Sequence, residues 1–157
     1  MLDYTKLILL SVTFFFILLT TFKLRSENLK GEYWKFLLSS LFLTLFLVLI
    51  IEIKPHHFIR TNFNIPNTLV YLFYFVVVAF YFFIYRKIFL LFKYVLIIVS
   101  FMFFGLANAI DLLSDGKLIE LAYNEFVEDI FHILGIVFWF LFFIDFSKKF
   151  TKSNHHY

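Results

Sequence analysis

Apolar residues in this chain fall into five long runs separated by short polar connections. The first, residues 7–22, is extended by Tyr4 and Leu24 into a span of about 5–23, close to the roughly 20 residues an α-helix needs to cross hydrocarbon. The second, 36–53, stops before Pro55, which cannot continue helical hydrogen bonding. Residues 68–85, 94–113 and 126–146 complete the set. This pattern predicts an all-α protein, an integral membrane bundle of five transmembrane helices forming one membrane domain over residues 1–157.

The connections refine the picture. Residues 23–35 are polar and basic, with Tyr33 and Trp34 where an interfacial aromatic anchor belongs. Residues 54–67 hold two prolines and three asparagines, a loop composition. Arg86, Lys87 and Lys93 bracket a turn between the third and fourth spans. On the third span Tyr74, Val78, Tyr81 and Tyr85 follow the spacing of one helix face, which predicts hydroxyls paired inside the bundle. A cleaved signal peptide fits the first run poorly. Asp3 and a single Lys6 make a weak basic leader, and no small-residue cleavage pattern follows.

With five spans, ten of the fourteen Lys and Arg residues fall on one side: in 23–35, in 86–93 and after residue 146. The positive-inside rule assigns that side to the cytoplasm, with the N-terminus outside and the C-terminus inside. Composition agrees with a bilayer protein: 62% of residues are hydrophobic and 24% aromatic, too much apolar surface for a soluble domain. The expected location is the plasma (inner) membrane of a prokaryote. Twenty-seven phenylalanines exceed what five thin helices can enclose, so many face lipid or another subunit. A homo-oligomer or a membrane-protein partner is thereby permitted.

Several chemistries are excluded or demoted. There is no cysteine, hence no disulfide and no thiolate ligand or nucleophile. Glycine-rich phosphate loops are missing, and the modest net charge of +3 with no basic stripe gives nucleic-acid binding no support. Only His132 lies inside a span, so bis-histidine haem ligation would need two copies. A serine triad would have to recruit Ser100 or Ser114 with His132, and nothing marks either serine.

What stands out is acid. Asn108, Asp111, Asp115, Glu120, Glu125, Glu128 and Asp129, with His132, crowd the facing ends of the fourth and fifth spans, and Glu52, His56 and His57 fall on the same predicted side. Ionisable groups at membrane depth are costly and mark function by default. Helical spacing puts Asp111 and Asp115 on one face with Phe104 and Asn108, and Glu128 on one face with His132. Gly105 and Ala109 form a small-xxx-small pair of the kind that lets helices approach closely. His132 is expected to point into the bundle, because lipid would leave its ring nitrogens unpaired.

Three readings suit this cluster. His132, Glu128, Asp111, Asp129 and Asp115, joined by His56, His57, Glu52 or Asn108, would bind a divalent metal such as Zn, Fe or Mn. Alternatively the same groups titrate protons, and in either case the protein acts as a sensory or accessory subunit. In the third reading the metal is catalytic, in a membrane-embedded hydrolase acting on a lipid or other membrane substrate. The competing structural account is a solvated rim, which suits Glu120 and Glu125 best and extends to Asp115 beside Gly116 and to Asp129. Weighing these, a non-enzymatic role is favoured over the enzyme.

Overall fold

The computed structural model describes residues 2–26, 31–53, 55–92, 94–115 and 124–153. Six α-helices account for nearly all of them: α1 (Leu2–Ser26), α2 (Gly31–Val48), α3 (Pro55–Phe63), α4 (Asn67–Leu91), α5 (Tyr94–Asp115) and α6 (Asn124–Ser153). No strand occurs among the described residues. Five stretches are long and apolar enough to cross a membrane: Tyr4–Leu24, Gly31–Ile51, Asn67–Leu91, Tyr94–Ser114 and Glu125–Phe150. They correspond one to one with the five apolar runs.

Three boundaries differ from expectation, each for a local reason. The proline-containing connection is not a plain loop, because Pro55 opens α3, a position where its missing N–H costs nothing and its fixed φ suits the helix. Asn64, at φ 56°, then ends α3 in the left-handed conformation that asparagine tolerates, its N–H donating to the Arg60 carbonyl at 3.0 Å. The α4 helix runs through Arg86 and Lys87 to Leu91, since neither residue breaks a helix, and it stops only at extended Phe92. Finally, α2 starts at Gly31 rather than Phe36, and its last turn widens to a π-helix over Leu49–Ile53 just before Pro55.

Packing centres on α6, which lies against both α5 and α1, while α2 packs beside α1. Phe36, Trp139, Phe142, Phe143 and Phe146 are fully buried, and Phe36 alone makes ring contacts with Tyr81, Phe89 and Phe143. Lipid tails are as apolar as these rings, so what holds the helices together here is close packing and satisfied polar groups rather than escape from water. Around Trp139 the polar groups are paired. Trp139 Nε1 donates to Thr44 Oγ1 at 3.1 Å, Thr44 donates to the Ser40 carbonyl at 2.8 Å, and Ser40 and Tyr81 share a hydroxyl hydrogen bond at 2.6 Å.

Helices α5 and α6 approach tightly at Gly135, where an added Cβ would sit 2.7 Å from the Phe104 ring. Beside it, Ser100 Oγ donates to the Gly135 carbonyl at 2.7 Å. Gly105, expected to serve this purpose, has nothing within 4 Å of a built Cβ. Both small residues of the Gly105/Ala109 pair are exposed, because that face of α5 turns toward a gap beside α4 instead of toward a packed neighbour.

Candidate functional site

The beginnings of α1, α4 and α6 and the end of α5 meet at one end of the bundle, and three polar pairs hold them there. Lys6 on α1 is almost completely buried, with its Nζ paired to Asp129 Oδ1 on α6. Tyr71 on α4 donates its hydroxyl to Asp111 Oδ2 on α5. Within α6, Glu128 Oε1 lies 3.8 Å from His132 Nδ1, with both side chains buried. Two of these pairs join different helices. A buried ion pair is weak evidence for stability by itself, but a charge left without its partner is expensive, so each pair constrains the placement of the other.

The expected residues are therefore brought together only in part. His132 points inward, 4% exposed, against the Phe104 ring at 6.4 Å between centroids. Glu128 shares its face, as the four-residue spacing predicts. Asp129 departs from the rim assignment, because one residue further round the helix it faces α1 and is held by Lys6. Asp111 turns to α4 rather than α6. Asn108 spends one amide hydrogen on the Phe104 carbonyl at 2.9 Å, the helical residue four before it. Ser100 is committed to the Gly135 carbonyl and so is no nucleophile beside His132. The side chains of Glu52, His56, His57 and Asp115, and the whole of Glu120, lie outside the described residues.

Among the described residues no group of three or more His, Cys, Asp or Glu side chains is placed to hold a metal ion. The reason is visible in the pairs themselves: Asp129 and Asp111 are each turned toward a partner on a neighbouring helix, and Glu128 with His132 makes only two ligands. Residues that sequence reasoning passed over supply those partners. In the sequence Lys6 figures only in a weak basic leader, and Tyr71 carries no expectation.

Residues 2–146 match the family described as a domain of unknown function, DUF8692. The chain belongs to the DUF8692 family. No curated protein and no solved structure matches it. The region that matches the DUF8692 family spans Lys6 through Trp139, and so includes all three polar pairs and the aromatic core.

A groove adjoins the polar end. It has a volume of about 710 Å³ and runs between α4 and α5, with Leu47, Ile50 and Ile51 of α2 at its back and His132 of α6 beside Asn108 at its polar end. Its walls are otherwise mainly apolar, aliphatic residues mixed with the rings of Tyr71, Tyr74, Phe75, Phe82, Phe101 and Phe104. Tyr74 belongs to this wall, and among the described residues its buried hydroxyl has no hydrogen-bond partner. Of the three tyrosines expected to pair inside the bundle, Tyr81 and Tyr85 do so, with Ser40 and Ser39 at 2.6 Å each, and Tyr74 does not.

Proposed function

We propose that this protein is a non-enzymatic, multi-pass membrane subunit, sensory or accessory in role, whose polar end takes up and releases protons. The observation that supports this most directly is the pairing of Lys6 with Asp129 and of Glu128 with His132, all but the partly buried Asp129 enclosed. Asp129 faces the Lys6 ammonium, its neighbour Glu128 faces His132, and a third carboxylate, Asp111, faces Tyr71 across the α4–α5 boundary. Protonating His132 or Glu128 changes the charge of a region that has little water to absorb the change. The helices that carry these groups respond because their contacts depend on that charge. By the positive-inside rule this end faces outward, which would make the external pH the signal. An output requires a partner protein in the membrane.

The test is a ¹⁵N-histidine NMR titration of the protein in detergent micelles, with His132 assigned through His132→Gln. The expected result is a titration of His132 between pH 5 and 8, the range in which imidazoles ordinarily change charge, that moves when Glu128 is replaced by Gln. A His132 signal constant across that range, in the parent and in Glu128→Gln alike, would remove the proton reading.

The metal and hydrolase readings rest on residues other than those paired above. They would need Glu52, His56, His57 or Asp115 to join His132 and Glu128. Elemental analysis of untagged protein, purified without chelator and compared with His132→Ala, decides them. Stoichiometric metal in the parent that is lost in the variant would favour a metal centre over the proton reading.

A further inference from the structure

We infer that the groove between α4 and α5 is a binding site for one uncharged lipid, with its tail along the aromatic wall and a hydroxyl or carbonyl head at Asn108. Four observations lead there, none of which depends on the proton reading.

The first is size and length. A volume of about 710 Å³ lies within the usual range for small-molecule sites. The lining runs from Tyr71 to Phe82 on α4 and from Ile98 to Leu112 on α5. At the helical rise these stretches measure roughly 17 and 21 Å. Half the hydrocarbon thickness is about 15 Å, so the groove is as long as one leaflet is deep. A lipid tail fits that length, whereas a transmembrane helix, about 10 Å across and spanning both leaflets, does not.

Access is the second. The rims carry Phe75 and Ala79 on α4 and Met102, Gly105 and Ala109 on α5, all exposed, so the groove opens sideways toward lipid rather than toward water. Gly105 and Ala109 keep that opening wide, and a Cβ at Gly105 would meet nothing.

The third is the polar chemistry of the closed end. Asn108 is only partly buried, and among the described residues its second amide hydrogen and its carbonyl oxygen have no partner after the bond to Phe104. An amide that both donates and accepts suits a hydroxyl or a carbonyl. Tyr74, one turn from Tyr71, adds its unpartnered hydroxyl to the same wall.

Charge is the fourth. Among the described residues no Lys or Arg lines the groove, so a phosphate head would enter without a counterion. Asp111, beside Asn108 on α5 and bonded to Tyr71, opposes a fatty-acid carboxylate as well. A neutral head remains: a monoacylglycerol, a long-chain or isoprenoid alcohol, or a lipid quinone share the chemistry the site offers.

Photo-crosslinking with a monoacylglycerol carrying a diazirine in its chain tests this, using full-length protein in phosphatidylcholine nanodiscs. Labelling is expected to concentrate on Phe75, Ala79 and Met102, and to be displaced by mono-oleoylglycerol but not by added dioleoylphosphatidylcholine or oleate. Gly105→Leu fills the groove without disturbing packing and should reduce the label to background while leaving the melting temperature unchanged. Asn108→Leu should weaken displacement by mono-oleoylglycerol about fivefold, the effect of one lost hydrogen bond. Repeating the competition with a short-chain quinone and with a prenyl alcohol separates the possible sources of the head group. Label spread evenly over lipid-facing residues such as Phe15, Phe42 and Leu90 would overturn the assignment. So would equal displacement by phosphatidylcholine. A Gly105→Leu variant that keeps the label but loses a dimer would overturn it too, and would make this face a seam between helices.

Discussion

The two ends of the bundle are built on different terms. At one, Phe36, Tyr81, Trp139 and Phe142 interlock, the hydroxyls and indole N–H described above are paired, and the Asp145–Lys149 ion pair, at 3.2 Å, lies within α6 alone. The other holds Lys6, Asp129, Glu128, His132 and Asp111 in pairs beside an open groove, with the Tyr74 hydroxyl unpartnered. The first arrangement is what packing alone would choose in a membrane. The second is more costly, and the same five helices could have been closed with apolar residues at both ends. That asymmetry, more than any single residue, is what the proposed function rests on.

If the comparison is right, the two ends fail differently when altered. The largest effect is expected at the packed end and at the tight helix crossing. Trp139→Ala should cost about 3 kcal/mol in reversible SDS unfolding, the low end for a large buried aromatic because lipid rather than water is the reference. Gly135→Leu should prevent a native bundle from forming, since Cβ alone would already strike the Phe104 ring, whereas Gly105→Leu should unfold like the parent. Equal behaviour of the two glycine variants would mean the crossing is placed wrongly.

Next comes the ion pair. Lys6→Met should destabilise by about 3 kcal/mol by leaving Asp129 without its cation. Lys6→Met combined with Asp129→Leu should recover most of that, because exchanging a buried pair for apolar residues is often neutral. A double variant as weak as the single one would show that the lysine acts through something other than Asp129.

The smallest effect sharpens the contrast most. Tyr81→Phe removes a hydroxyl bonded to Ser40 and should cost about 1 kcal/mol, measured in the same unfolding assay. Tyr74→Phe removes a buried hydroxyl with no partner and should be neutral or slightly stabilising in the empty protein.

Much of this fold was legible because hydropathy is additive along a segment: each run of about 20 apolar residues announces a helix regardless of what packs against it. His132 was legible for the same reason, being the one ionisable residue between Asp129 and Asp145 in an otherwise apolar stretch. Its i, i+4 relation to Glu128 followed from the helical repeat. Partners across helices were not. Lys6 and Asp129 are 123 residues apart, and nothing local distinguishes a lysine that snorkels from one that is enclosed. Tyr71 and Asp111, 40 apart, pose the same difficulty. The small-residue pair misled because small residues mark any place where backbone must be uncovered. At Gly135 the neighbour is a ring, and at Gly105 it is open space.

The enclosed lysine also bears on the order in which the molecule is made. Lys6 is the third residue of the Tyr4–Leu24 stretch, so α1 alone in a bilayer can keep its ammonium in water at the interface. Its counter-charge arrives only when α6 has been synthesised, 123 residues later. Enclosure of Lys6 is therefore expected to follow the arrival of α6, and a chain truncated before α6 should leave Lys6 open to water-soluble amine reagents that reach it far less in the finished protein.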